Sequence, residues 1–81
     1  MVLTKTYQPK GEIMELFNKV YESLKQCGFS DSGGTMHNHQ HTAAIYWSEK
    51  EIRVVFDSKD ATGLEQMINN FEGRIENHTK G

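Results

Sequence analysis

Cysteine, proline and long apolar runs are scarce in this chain, and each scarcity excludes a class of protein. One cysteine, Cys27, and one proline, Pro9, occur in 81 residues. A lone thiol cannot form an internal disulfide, so the chain is not a disulfide-stapled secreted domain. No apolar run approaches the ~18 residues of a membrane span, and Met1–Tyr7 lacks the apolar core of a signal peptide. We therefore expect a cytoplasmic protein with no membrane partner.

An excess of charge of one sign is also lacking. Nine Lys and Arg residues oppose eleven Asp and Glu residues, so the formal net charge is −2, and the pI is about 6.0. The cations are scattered along the chain, whereas nucleic-acid binders cluster them and often have a pI above ~9. This balance argues against nucleic acid as a partner and identifies no other partner.

What the chain does have is enough apolar material for one small core. Hydrophobic residues make up 36% of the sequence and aromatic residues 10%. A chain of this length accommodates a single domain, 1–81, which buries roughly 60–65% of its unfolded surface. We expect residues 1–8 to form an arm or an edge strand and residues 78–81 to be a frayed tail.

The first helix is predicted over Pro9–Cys27. Pro9 is acceptable in a first helical turn, and Gly28 suits the left-handed position after a helix, with Phe29 folding back as in a Schellman cap. Cys27 lies on the apolar face and is expected to be a buried, unreactive thiol. The apolar residues that recur with a period near 3.6 are Ile13, Leu16, Phe17, Val20, Leu24 and Cys27.

A β-hairpin is predicted over His41–Asp57, with strands Thr42–Trp47 and Ile52–Phe56. A turn at Ser48–Glu51 places one set of side chains on a single face. That set comprises Ala43, Ile45, Trp47, Ile52, Val54 and Phe56.

The second helix is predicted over Thr62–Asn77, where Leu64, Met67, Ile68, Phe71 and Ile75 form an apolar stripe. Thr62 and Glu65 match a capping box, and Ser58 and Asp60 are alternative caps. The expected buried cluster comprises Leu16, Phe17, Val20, Leu24, Ile45, Trp47, Val54, Phe56, Leu64, Ile68 and Phe71.

These elements predict a small two-layer α+β domain. Ser30–Gly34 is expected to be a connecting loop, and Gly34–His37 a strand that turns at Asn38–His39 and pairs with Gln40–Ala43. The order is then helix, antiparallel sheet of two or three strands with the hairpin, and helix. Both helices are expected to pack on one face of the sheet.

Three histidines, His37, His39 and His41, occupy alternate positions. On one strand they would share a face, and imidazoles in that arrangement suit Zn²⁺, Cu²⁺ or Ni²⁺. A turn at Asn38 would separate the three rings instead, and no supporting ligand stands nearby in the sequence. We expect no metal, no cofactor and no catalytic site. These three histidines are the residues to test for metal binding and for catalysis.

The other face of the hairpin is the expected protein-binding surface. It carries Tyr46 opposite Arg53 and Ala44 opposite Val55. Tyr and Arg are enriched among the residues that dominate binding energy at interfaces. The alternative is an ordinary solvated sheet face with a cross-strand cation–π pair.

The order of these segments resembles the double-stranded-RNA-binding fold and, more distantly, the HicA-type RNA-cleaving toxins. The matching segments are Leu16–Phe29, Gly33–His37, the hairpin and Leu64–Phe71. The toxins' Gly-Ser-His signature is absent, because Gly34-Thr35-Met36-His37 is one residue longer. The resemblance implies an RNA-binding or RNA-cleaving domain that uses the His37–His41 segment.

We expect a small protein that is not an enzyme and that binds another protein as an adaptor or regulator, through its sheet face or sheet edge. The RNA-directed function is the alternative, and a metal-binding accessory protein is a third hypothesis. Shape alone does not decide among them, because one fold hosts many functions.

Overall fold

The computed structural model describes residues 1–80 as two helices packed on an antiparallel sheet. The elements are β1 (Val2–Tyr7), α1 (Ile13–Gln26), β2 (Ser30–Ser32), β3 (Thr35–Asn38), β4 (His41–Trp47), β5 (Ile52–Ser58) and α2 (Ala61–Ile75). A 3₁₀ turn, Glu76–His78, follows α2. The sheet has five strands in the order β1-β5-β4-β3-β2, so the predicted α+β class is confirmed and the predicted two or three strands are too few. No helix within residues 1–80 has the length and apolarity to cross a membrane.

Strand β1 adds one edge to the sheet, beside β5. It pairs along its whole length, from Val2 opposite Asp57 to Tyr7 opposite Ile52. Its side chains alternate between an exposed and a half-buried side. Lys5 falls on the half-buried side, where its ammonium lies 3.3 Å from a carboxylate oxygen of Glu72. This strand lies outside the helix–strands–helix order on which the resemblance to RNA-binding folds rested.

Strand β2 forms the opposite edge and replaces the predicted Ser30–Gly34 loop. Ser32 pairs with Thr35 across a two-residue turn at Gly33 and Gly34. Both glycines have positive φ, 62° and 85°, as type I′ hairpin turns require. The three strand residues are polar and exposed, so no apolar alternation marks them as a strand.

Helix α1 starts at Ile13 rather than Pro9 and ends at Gln26, one residue before the predicted Cys27. Pro9 lies outside the helix in a β-bridge with Thr79. The predicted Schellman cap is confirmed: the N–H of Phe29 donates to the Leu24 carbonyl and that of Gly28 to the Lys25 carbonyl, each at 3.0 Å.

Helix α2 begins one residue earlier than predicted and ends at Ile75 rather than Asn77. The Asp60 carboxylate caps it by accepting from the N–H of Gly63 at 3.0 Å. Asp60, the alternative cap, is therefore used in place of Thr62. Of residues 78–81, which were predicted to be frayed, His78 and Lys80 are hydrogen-bonded to the segment after β1, and Gly81 lies outside the described residues.

The predicted hairpin register is confirmed. Trp47 pairs with Ile52, and the N–H of Ser48 donates to the Glu51 carbonyl at 3.0 Å to close the turn. A single core cluster joins both helices to the inward-facing strand residues, so both helices lie on one face of the sheet. Its members are Leu16, Val20, Leu24, Phe29, Met36, Ala43, Ile52, Val54, Phe56, Leu64, Ile68, Phe71 and Ile75.

Three residues predicted to lie in this core lie at its margin instead. Phe17 and Ile45 are half-buried, and Trp47 is 55% exposed. Strand β3 begins at Thr35 and pairs only with the first part of β4, so the end of β4 has no neighbour on that side. The indole of Trp47 is covered in part by the ring of Phe17, with a centroid distance of 6.0 Å.

Candidate functional site

The sheet face turned away from the helices brings the four predicted binding residues together. Tyr46 pairs with Arg53, and Ala44 pairs with Val55, in the register predicted from the sequence. We call these four residues the sheet-face patch. The alternation of side chains along β4 and β5 points them to the side opposite the core.

Strand β1 widens this surface with residues that the sequence did not single out. Thr4 pairs with Val55, and Thr6 pairs with Arg53, so two threonines continue the rows of the sheet-face patch. The sequence offered residues 1–8 as an arm or an edge strand, and the pairing of β1 with β5 is what places these threonines on the surface. Short β-branched side chains are well suited to a sheet surface of this kind.

The sheet-face patch combines an exposed ring with a flat apolar base. Tyr46 is 56% exposed, whereas Ala44 and Val55 are half-buried between their neighbours on adjacent strands. The guanidinium of Arg53 lies 3.9 Å from a carboxylate oxygen of Glu51, and both groups are solvated, so this pair adds little stability. Within residues 1–80 the one cation–π contact joins Lys25 to Tyr21, so Arg53 does not stack on Tyr46.

The three clustered histidines are separated by a turn. The chain reverses at His39 and Gln40, where His39 has a positive φ of 51°, and Asn38 pairs with His41. His37 lies on the outer sheet face opposite Thr42, whereas His41 lies on the helix side of β4. Within residues 1–80 no three His, Cys, Asp or Glu side chains are grouped to hold a metal ion.

His41 takes part in a structural contact with Ser58. Its Nδ1 lies 2.6 Å from the Ser58 hydroxyl oxygen, and the N–H of Asp60 donates to that oxygen at 2.9 Å. Ser58 is buried, with 3% of its surface exposed. Ser58 therefore links the end of β5 to the start of β4 through His41, and to the start of α2 through Asp60.

We expect Zn²⁺ or Ni²⁺ to bind the protein weakly, because the divergent rings cannot converge on one ion without rearranging the turn. Isothermal titration with a few equivalents of each metal measures this directly. A micromolar or lower dissociation constant for either metal, together with loss of binding in His39→Ala, would contradict the expectation.

The most strongly perturbed titrating group lies between β1 and α2. The Tyr7 hydroxyl donates to a carboxylate oxygen of Glu72 at 2.7 Å, and Lys5 approaches the same oxygen. Burial, reinforced by the hydrogen bond to Glu72, raises the pKa of the Tyr7 phenol well above its usual range. The phenol stays protonated at neutral pH and ties the edge strand to the helix.

Cys27 is half-buried rather than fully buried as predicted. It caps the end of α1, and its carbonyl accepts from the Asn38 side-chain amide at 2.8 Å. Burial raises the pKa of the thiol, although the nearby Arg74 acts in the opposite direction. A thiol with a raised pKa has little of the reactive thiolate at neutral pH.

Comparisons of the chain with protein-family models, with curated proteins and with solved structures found no match. Function must therefore be inferred from the residues and their arrangement. The sheet-face patch is the surface at which the predicted binding residues are placed side by side.

Proposed function

We propose that this protein is a non-enzymatic adaptor or regulator that binds another protein through the outer face of its sheet. The supporting observation is the sheet-face patch, where an exposed aromatic ring and a guanidinium flank two small apolar side chains on a face without helices. A tyrosine ring supplies contact area at a low cost in side-chain entropy, and a guanidinium pairs with a carboxylate in a bidentate geometry. The partner is expected to present an apolar side chain beside an Asp or Glu.

The chemistry elsewhere favours binding over catalysis. The Ser58 hydroxyl, which contacts His41, belongs to a buried residue, and burial raises the pKa of the Cys27 thiol. His37 lies on the outer face of the sheet, His39 lies in the turn, and His41 lies on the helix side of β4. A catalytic assembly requires a nucleophile and its base to face a common substrate position.

The double variant Tyr46→Ala/Arg53→Ala is expected to fold normally and to weaken partner capture more than tenfold, by about 2 kcal/mol. Both side chains are exposed, so the core is untouched. The measurement is affinity capture from native lysate. Each recovered protein is then titrated against the unaltered protein and against the double variant.

A matched control removes one exposed apolar side chain and one cation from another surface. Met14→Ala/Lys19→Ala on α1 does this, and it is expected to retain full capture. A folded sheet-face variant that binds its partner at full strength would eliminate the sheet-face patch as the site.

The same capture tests the RNA-directed alternative. RNase treatment is expected to leave the captured protein in place. If RNA is recovered instead, with binding that falls steeply as salt rises and with His37→Ala more harmful than Tyr46→Ala, the adaptor proposal fails.

A further inference from the structure

Three lysines that are distant in sequence line one open cleft. Lys10 follows β1, Lys50 lies in the turn between β4 and β5, and Lys80 follows the 3₁₀ turn. The cleft has a volume of about 440 Å³, which is within the range of small-molecule sites. Its other lining residues are Gln8, Pro9, Gly11 and Glu49. We call it the lysine cleft, and it shares no residue with the sheet-face patch.

Main-chain hydrogen bonds hold two of these lysines side by side. The N–H of Lys80 donates to the Gln8 carbonyl at 2.9 Å, and the N–H of Lys10 donates to the His78 carbonyl at 3.0 Å. These bonds flank the antiparallel bridge between Pro9 and Thr79. In this arrangement Lys10 and Lys80 are diagonal neighbours on one face, a relationship that brings long side chains within reach of each other.

Lys50 faces this pair from a closed turn. Its N–H donates to the Ser48 hydroxyl at 3.3 Å, and the turn is closed by the bond from Ser48 to the Glu51 carbonyl. The backbone of each lysine is thus positioned by hydrogen bonds. The side chains remain exposed and free to adjust to a ligand.

The charges in the lysine cleft are not compensated within the described chain. No carboxylate of residues 1–80 lies within 4.0 Å of the Lys10, Lys50 or Lys80 ammonium. Glu49 is the one acidic residue among those lining the cleft. Three cations gathered on a protein with a net charge of −2 repel one another, and a concave surface concentrates their potential. A bound anion relieves that repulsion.

We propose that the lysine cleft binds the phosphate group of a small phosphorylated molecule. Lysine ammoniums are common phosphate ligands and act as point charges around the oxygens. The adjoining cleft shares Lys10 and Gly11 but is also lined by Glu12 and Glu15. An extended polyanion such as RNA would meet those carboxylates, whereas a compact phosphate fits within the lysine cleft, where three lysines face one carboxylate, Glu49.

The test is a titration of the whole protein in which amide chemical shifts report binding. The ionic strength is held constant with sodium chloride. The two probes are inorganic phosphate and ribose 5-phosphate. We expect saturable shifts at Lys10, Lys50 and Lys80 with at least one probe. Saturation by ribose 5-phosphate alone identifies an organic phosphate as the ligand, and equal saturation by both probes shows that the phosphate group suffices.

Variants distinguish a specific site from general attraction to lysine. Lys50→Gln is expected to weaken binding by about threefold, the scale of one exposed charge pair, and Lys50→Arg to retain it. Lys59→Gln removes the same charge at a position outside the lysine cleft and is expected to have no effect. Shifts that do not saturate, or equal weakening by Lys59→Gln and Lys50→Gln, would overturn the proposal. Either result leaves the sheet-face proposal untouched.

Discussion

Phe71→Ala is expected to reduce the free energy of unfolding by about 3–5 kcal/mol, a large share of the stability of so small a domain. Phe71 is fully buried on α2. Its ring makes edge-to-face contacts with Tyr7 at 5.8 Å and with Phe56 at 6.1 Å between centroids. Removing the ring leaves a cavity where α2, β1 and β5 meet, and urea denaturation followed by circular dichroism measures the loss.

The control for this substitution is Tyr46→Ala, which removes an aromatic ring of similar size from the exposed sheet face. We expect it to change the free energy of unfolding by less than about 0.5 kcal/mol, as for most surface substitutions. If both variants lose the same stability, the assignment of Phe71 to the centre of the core is wrong.

Gly28→Ala is expected to destabilise the protein by about 2–3 kcal/mol. Gly28 has a φ of +93°, a left-handed conformation that costs other residues about 1–2 kcal/mol. A Cβ there would lie 3.1 Å from the Asn38 side-chain nitrogen, which donates to the Cys27 carbonyl. The new methyl group therefore strains the end of α1 and also disturbs its hydrogen bond to β3.

Gly73→Ala makes the same chemical change with the opposite expected result. Gly73 lies inside α2, has no positive φ, and a Cβ there meets nothing within 4 Å. We expect a gain of about 0.5–1 kcal/mol, because alanine favours helix more than glycine does. Thermal denaturation of both variants compares them, and a stabilised Gly28→Ala protein would contradict the observed helix end.

The elements found from the sequence are those whose signals come from near neighbours in the chain. The hairpin was predictable because its alternating pattern and its turn length agree on one register. The end of α1 was predictable because Gly28 and Phe29 directly follow the last apolar position. The pairing of Tyr46 with Arg53 and of Ala44 with Val55 follows from that hairpin.

The edge strands are marked less clearly in the sequence, which left residues 1–8 as either an arm or an edge strand and made Ser30–Gly34 a loop. On β1, Lys5 occupies an inward position, and only the Glu72 carboxylate on α2 explains how a cation is accommodated there. On β2 every residue is polar and exposed, so its pattern matches that of a loop. Edge strands need less apolar character than central ones and are often marked by charge instead.

The two helices, the central hairpin and the sheet-face patch could be predicted from the amino-acid pattern, because helix and hairpin periodicity are properties of consecutive residues. The number of strands, the exposure of Trp47 and the common cleft of Lys10, Lys50 and Lys80 became known from the folded chain. Each depends on segments far apart in the chain: β1 pairs with β5, β3 stops short of Trp47, and Lys80 returns to Gln8. Such contacts form when the whole core packs, since the loop-closure cost of joining distant segments is offset only by the burial that follows.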